Sequence, residues 1–555
     1  MVYFLKLFII FICWIHSIEG DIIMYCHQCE ETMKGIACDK LGMCGKVAEV
    51  ADLQDTLVYI TKGIAAKNLP LIEKGTADPK IDTFIAQALF TTLTNVNFDP
   101  DAIHAMIEEG IKLRDALPLP ENAHPAATYI PKKGEDVVHT IGVLADSDPD
   151  VRSLHEIILY GLKGMAAYYT HCLALGYEDP AIPAFLQKAL NATLTETSID
   201  TLIALVTECG SVGVTTLALL DKAHTEAFGH PKVTIVSRIP GGRPGILITG
   251  HDMHDLHQLL EQSKDAGIDI YTHGEMLPAH GYPKLSVYSH LAKHYGGSWP
   301  HQKTEFETFN GPIIVTTNCL VPPADSYISR MYTTNETGFP GIARIPVKPD
   351  GKKDFSAVIE QAKTCKPPAF LDSANSSLAT GYAHDTVVRI ADTVLNAVQS
   401  GAVKRFIVMA GCDGRHKERE YYTEIAKELP QDTIILTAGC AKFRYNGLDL
   451  GDIGGIPRVL DAGQCNDSYS LVVIAMELAK ACNTDINSLP ISYDIAWYEQ
   501  KAVLVLLCLL SLGVQNIILG PKLPAFVSPN VLKVLIDTYH IRGIGTVEDD
   551  LKTIV

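Results

Sequence analysis

The sequence predicts a multidomain chain: an N-terminal helical-bundle domain followed by two α/β domains built on parallel sheets. Three observations carry this. At 555 residues the chain is too long for one hydrophobic core. Residues 47 to about 225 keep a helical period without strand signals. From Val233 onward, short β-rich runs alternate with helical segments, the pattern of a parallel sheet.

The elements follow in order. Leu7–Ile15 is an apolar run behind a single lysine, Lys6, and fits the core of a signal peptide over residues 1–23. The runs "VAEVADLQDTLVYITKGIAAKN", "IDTFIAQALFTTLTNV", "DVRSLHEIILYGLKGMAAYYTHCLAL" and "SIDTLIALVTECGSVGVTTLALLDKAH" place apolar residues three and four apart. Asp99, Asp148 and Ser198 are predicted N-caps, with Pro100 and Pro149 at the first helical position. The predicted strands are "VTIVS", "GILITG", "IDIYT", "PIIVTTN", "RFIVMAG" and "TIILTAG", with "RVLDAGQ" after them. A break over residues 365–385 divides the α/β part, so the expected units are 24–225, 226–375 and 376–555. Ala502–Val514 is read as a buried helix. No apolar run reaches the roughly 20 residues of a membrane span.

Composition narrows the function. With 46 basic and 64 acidic residues the net charge is −18, which argues against a nucleic-acid binder. Neither a G-x-G-x-x-G nor a Walker motif is present. Nicotinamide or flavin binding is therefore not expected, and electrons must come from another protein or carrier.

The chain has 14 cysteines. Four lie in "MYCHQCEETMKGIACDKLGMCGK": Cys26, Cys29, Cys38 and Cys44, spaced C-x2-C-x8-C-x5-C. Alone, they suit one zinc ion or one iron–sulfur cluster, with disulfides as a further alternative. Parallel sheets bind ligands beyond the carboxyl ends of their strands. After successive strand runs come His251, Glu275, Cys319, Cys412, Cys440 and Cys465. A glycine directly precedes His251, Glu275, Cys412 and Cys440, allowing a sharp turn there. Thiolates, an imidazole and a carboxylate on one rim favour iron or another transition metal. Glu499, opening the late apolar helix, is a seventh candidate; helix-dipole complementarity is its alternative. An iron-suited second site shifts the four N-terminal cysteines toward iron–sulfur. Cys172, Cys209, Cys365, Cys482 and Cys508 are read as small buried hydrophobes.

The chain resembles the hybrid cluster protein family, also called prismane proteins or hydroxylamine reductases, from about Met24 to the C-terminus. The matching motifs are "CHQCE…CDKLGMCGK", "GHDMHDL", "YTHGEMLPAHGYP", "VTTNCLVPP", "AGCDGR", "AGCAKFRYN", "DAGQCND", "WYEQKAV" and "FVSPNVL". The cysteine spacing is similar to the branch found mainly in anaerobes. The resemblance implies two three-helix bundles followed by two Rossmann-like α/β domains. Cys26, Cys29, Cys38 and Cys44 would hold a [4Fe–4S] cluster. His251, Glu275, Cys319, Cys412, Cys440, Cys465 and Glu499 would hold a hybrid [4Fe–2O–2S] cluster between the domains, with Cys412 at the position of a persulfide. The implied reaction is NH2OH + 2e⁻ + 2H⁺ → NH3 + H2O, with nitric oxide an equally natural substrate. His251, Glu275 and Glu499 would be catalytic, with Lys501 and His273 as candidate proton donors. The implied partners are a small nitrogen substrate and an external electron-donor protein, without nucleic acid or membrane.

Two other readings stay open. One is a redox-sensing or protein-nitrosylating iron–sulfur protein. The other is a carbon monoxide dehydrogenase-like enzyme, against which Glu275 and Glu499 argue, since oxygen donors favour oxygen-bridged iron over nickel. Eight thiolates destined for clusters call for a reducing compartment. The expectation is a cytoplasmic protein starting at Met24, with residues 1–23 an upstream-start artefact; an organelle-directing leader is the alternative.

Overall fold

The computed structural model describes residues 24–371 and 375–554. The signal-peptide reading of residues 1–23 lies outside them.

Six long helices follow the four-cysteine segment: α1 (Ala48–Glu73), α2 (Pro79–Thr91), α3 (Pro100–Ala116), α4 (Pro149–Ala174), α5 (Ala181–Thr195) and α6 (Ile199–Phe228). Their starts obey the sequence. Asp99 accepts from the Asp101 amide, Asp148 from the Asp150 and Val151 amides, and Ser198 from the Thr201 amide. Each cap satisfies amides that a helix start leaves unpaired. α1 packs on α3 and α5, while α2 and α6 pack on α4.

The late apolar run forms α7 (Gln500–Ser511), which lies against α4 and α6. Its backbone comes so close that only glycine fits. A Cβ on Gly164 would stand 2.4 Å from the Gln500 carbonyl oxygen, and one on Gly210 2.1 Å from that of Leu507. One core therefore runs from Leu162 and Leu205 through Leu504 and Leu507 to Val408 and Leu436. By length and hydropathy (1.7 over its most apolar window) α6 could cross a bilayer, a possibility the sequence reading missed. In this fold, Leu202, Leu205, Leu217 and Leu220 of α6 are buried in that core.

The strands are β1 (Thr234–Ser237), β2 (Gly245–Thr249), β3 (Asp269–Thr272), β4 (Leu291–His294), β5 (Ile313–Val315), β6 (Met331–Thr333), β7 (Ala343–Arg344), β8 (Ser377–Thr380), β9 (Arg405–Gly411), β10 (Thr433–Thr437), β11 (Asp452–Ile453), β12 (Ile456–Pro457), β13 (Val459–Asp461), β14 (Ile491–Ala496), β15 (Ile517–Gly520) and β16 (Arg542–Gly543). Two sheets are wholly parallel, ordered β4-β3-β2-β5-β6-β7 and β13-β10-β9-β14-β15-β16. In the first, Ile248 lies between Thr272 and Ile314; in the second, Val408 lies between Leu436 and Tyr493. The central strand β2 is buried along its whole length, as expected of a sheet covered on both faces.

Two expectations change. "VTIVS" belongs to neither parallel sheet: β1 pairs antiparallel with β8, which lies inside the stretch read as a break. Of the five cysteines read as buried, Cys172, Cys209 and Cys508 are, whereas Cys365 is half-buried and Cys482 is exposed at the end of its helix.

Candidate metal centre

The predicted donors lie beyond strand ends of both sheets, and the two sets meet. The four glycines before His251, Glu275, Cys412 and Cys440 all have positive φ: Gly250 +97°, Gly274 +54°, Gly411 +113° and Gly439 +89°. These left-handed turns swing the next residue out of its strand at low steric cost. Their fit is tight: a Cβ on Gly411 would sit 2.0 Å from the Ala496 carbonyl oxygen.

His251, Glu275 and Cys465 bring one donor atom each within 4.8 Å of one another. His251 Nε2 is 3.9 Å from Glu275 Oε2, and the Cys465 amide donates to that same oxygen at 2.8 Å. The other carboxylate oxygen of Glu275, Oε1, is buried and accepts no hydrogen bond. Gln464 Nε2 donates to the Glu275 backbone carbonyl at 2.7 Å, tying the first sheet to the second. Cys319, Cys412 and Cys440 pack beside these groups against Trp299, Val321 and Tyr498.

Glu499 caps α7, accepting from the Lys501 amide at 2.7 Å and from Asn318 Nδ2 at 3.3 Å. It also lies three residues beyond β14, so it is a strand-end donor like the others. Lys501 Nζ is 3.2 Å from His251 Nε2, 3.1 Å from Asn318 Oδ1 and 3.8 Å from Glu499 Oε1. His273 is placed differently. Its ring nitrogens pair with Thr249 Oγ1 at 2.9 Å and Glu305 Oε2 at 2.8 Å, so both are occupied away from the donor set.

Burial dominates the electrostatics. It pushes the Glu275 and Glu499 carboxyls up, and the Cys465 thiol to about 12 although Lys501 opposes this. Burial lifts Cys440 too, helped by the negative charges of Glu275, Cys319, Cys412 and Cys465. His251 is held well below its ordinary range by burial and by the Lys501 charge. Four thiols, two carboxyls and one imidazole, with only the ammonium groups of Lys501 and Lys442 to oppose them, cannot all ionise here unaided. A multiply charged metal group would reverse that balance and meet the unpartnered Glu275 oxygen. The residues present therefore fit a metal group of mixed sulfur, nitrogen and oxygen ligation.

The four N-terminal cysteines make a second candidate centre. Cys26 and Cys38 pair as a short antiparallel bridge, with N···O distances of 3.1 and 2.8 Å. Cys29, Cys38 and Cys44 are buried, and Cys26 is partly exposed. Burial raises the Cys29 thiol, and the charges of Cys44, Cys26, Glu31 and Cys38 add to it. Lys46, itself buried, lies 3.9 Å from Cys26 Sγ.

The two centres share a wall that sequence reasoning did not find. The Glu30 amide donates to the Tyr498 carbonyl at 2.9 Å, and Gln500 Nε2 to the Gln28 carbonyl at 2.6 Å. Glu499 of one centre thus lies between two residues bonded to either side of Cys29 of the other. The fully buried Arg419 donates to Glu30 Oε2, the Cys412 carbonyl and the Trp497 carbonyl at 3.1, 2.9 and 2.7 Å. Nothing local in "HKEREYY" marks that role.

Comparison with known proteins shows the family and the fold. The model of the Prismane/CO dehydrogenase family matches residues 24–552. A hydroxylamine reductase of Methanosarcina mazei is 55% identical over 541 residues, covering 96% of this chain and 100% of that protein. One of Methanocaldococcus jannaschii is 54% identical over 544 residues, with 96% and 100% covered. Among solved structures, a nickel-free carbon monoxide dehydrogenase from Thermococcus sp. AM4 superposes with a TM-score of 0.57 at 17% identity, covering 96% of this chain and 90% of that one. At that identity the likeness speaks to the fold.

Proposed function

The chain belongs to the Prismane/CO dehydrogenase family, and from that premise we propose that it reduces hydroxylamine to ammonia and water with two electrons from an external donor. The observation that carries this is the convergence of His251, Glu275 and Cys465 within 4.8 Å, with Glu275 Oε1 unpartnered.

His251, Glu275, Cys319, Cys412, Cys440, Cys465 and Glu499 would hold a hybrid [4Fe–2O–2S] cluster, with Cys412 the candidate persulfide. Cys26, Cys29, Cys38 and Cys44 would hold a [4Fe–4S] cluster; their gathering in one short, mostly buried segment supports a shared metal group. When bound, the iron groups supply electrons and a Lewis-acidic iron for the N–O bond. The protein supplies the rest. Lys501 is kept protonated: burial opposes its charge, but Cys465 and Glu499 outweigh that. It holds a proton at Nζ, 3.2 Å from His251 Nε2. Asn318 orients both Lys501 and Glu499. An almost wholly apolar cavity lined by Tyr168, Val408, Leu471, Val505 and Leu509 reaches Cys412, Cys465 and Lys501. It limits water and admits small uncharged molecules. That cavity also favours nitric oxide as a second substrate.

We read α1, α3 and α5 as one three-helix bundle and α2, α4 and α6 as the other, supported by their packing. The two sheet regions are read as Rossmann-like, in units 226–375 and 376–555, with the reactive centre between them. We assign the reaction to a reducing compartment, the cytoplasm, and to no nucleic acid or membrane partner. Anaerobic turnover of hydroxylamine with dithionite-reduced methyl viologen tests the reading, with one ammonia expected per two electrons. Glu275→Gln should abolish turnover and leave the spectrum of the four-cysteine cluster intact. Iron-loaded protein without turnover would leave a redox-sensing role instead.

A further inference from the structure

The four-cysteine segment carries an apolar face that nothing among the described residues covers. Among the described residues, 17 large hydrophobic side chains are exposed, and four of them fall within residues 36–47. They are Ile36 (63%), Leu41 (51%), Met43 (46%) and Val47 (47%). Scattered single exposures need no explanation, but a cluster this dense in sequence does. Three are contiguous by construction. Leu41 and Val47 face each other as an antiparallel bridge, and Met43 stands on the turn between them, closed by Gly42–Lys46 and Gly45–Gly42 hydrogen bonds. Arg415 pins that turn by donating to the Met43 carbonyl at 2.7 Å, while pairing with the buried Glu31.

The charge around this face runs against that of the chain. The protein carries −18 overall, yet at this face the exposed Lys34 and Lys40 together with Arg415 outnumber Asp39 and Glu49, Lys46 being buried. Lys34 and Lys40 are exposed, and Arg415 is partly exposed at the same turn. An apolar centre with a basic rim suits a partner with an apolar centre and an acidic rim. The face is built from the same short segment as Cys38 and Cys44, and Cys26 of that set is itself partly exposed.

We propose that Ile36, Leu41, Met43 and Val47 form the docking face for the electron donor, a small acidic one-electron carrier protein with its redox centre at an apolar edge. The proposal rests on the reductase reading above. Each encounter oxidises the carrier by one electron. Two encounters deliver the two electrons that, with two protons, convert one NH2OH to NH3 and H2O. Lys34, Lys40 and Arg415 steer the approach, so association weakens as salt rises.

The test is steady-state hydroxylamine reduction by the iron-loaded protein, driven by reduced acidic ferredoxin or by reduced methyl viologen. Leu41→Ser/Met43→Ser and, separately, Lys40→Glu should raise KM for ferredoxin roughly tenfold, and wild-type KM should rise with ionic strength. With viologen both variants should stay within twofold of wild type, which also shows that they fold and load iron. An unchanged ferredoxin KM in both variants overturns the docking face while leaving the reductase reading intact. Absence of viologen turnover in the wild type removes the reductase reading and the proposal with it. A wild-type dimer in sedimentation that Leu41→Ser/Met43→Ser dissociates assigns the face to a second copy. A lower ferredoxin KM on removing residues 1–23 assigns it to that leader; either result overturns the proposal.

Discussion

Gly164→Ala separates positioning from stability. The new Cβ would lie 2.4 Å from the Gln500 carbonyl oxygen and 3.0 Å from Leu504 Cβ. Ordinary contact is nearer 3.5 Å, so α7 must retreat from α4 by about 1 Å at its first residue. Overpacking of this kind costs about 1–3 kcal/mol, and replacing a mid-helix glycine by alanine returns about 1 kcal/mol. The net loss is about 0–2 kcal/mol, a few degrees in Tm at most. Gln500, however, sits between Glu499 and Lys501. A 1 Å displacement of groups at a reacting centre can cost roughly 100-fold in rate. We therefore expect kcat for viologen-driven hydroxylamine reduction to fall between about tenfold and 100-fold, with Tm nearly unchanged. Gly161→Ala is the control, because its Cβ would meet only the movable side-chain atoms Cys209 Sγ and Leu507 Cδ1. Differential scanning calorimetry, iron content and kcat are measured on the same preparations. A Gly164→Ala enzyme with full iron and kcat within twofold of wild type would refute the reasoning.

Other outcomes follow from the same geometry. Asp494 on β14 is fully buried, and burial lifts its carboxyl to about 8, with the Asp550 charge adding. The folded state therefore holds a proton that the unfolded chain releases above about pH 4. Its contribution is whole below that pH and is lost as pH rises toward about 8. Asp494→Asn should flatten the decline of Tm between pH 5 and 8.5 and exceed wild type by up to about 5 kcal/mol at the upper end; parallel Tm curves would contradict this. Arg419→Met leaves Glu30 buried without its guanidinium partner and should destabilise by about 3–5 kcal/mol, read as a lower Tm with weakened absorbance of the four-cysteine cluster. Metal analysis of anaerobically purified protein should give about eight iron per chain and no nickel; stoichiometric nickel would reverse the choice between oxygen-bridged iron and a nickel site.

Much of the centre was legible because its grammar is local. A glycine at the end of a β-rich run, followed by a cysteine, histidine or glutamate, needs only neighbours to be recognised; Gly411–Cys412 and Gly439–Cys440 are instances. N-caps such as Asp148 are equally local. Other features escaped because they depend on distant partners. β14 reads "ISYDIA", and its polar Ser492 and Asp494 hide a strand buried in the second sheet. Glu499 looked like a helix start because that strand was missed. The antiparallel β1–β8 ribbon joins residues about 140 apart, beyond any periodicity. Arg419 and Asn318 act through backbone carbonyls and side chains that only the fold brings to them.

The hydrogen bond from Gln500 Nε2 to the Gln28 carbonyl spans 472 residues. During synthesis, at about 5–20 residues per second, that interval lasts on the order of half a minute to a minute and a half. Cys26, Cys29, Cys38 and Cys44 leave the ribosome among the first residues, and their backing wall of Tyr498 and Gln500 among the last. For that time the four thiols exist without the surface that closes over them. A nascent chain stalled before Tyr498 therefore lacks the backbone and side-chain partners of Glu30 and Gln28 that flank Cys29.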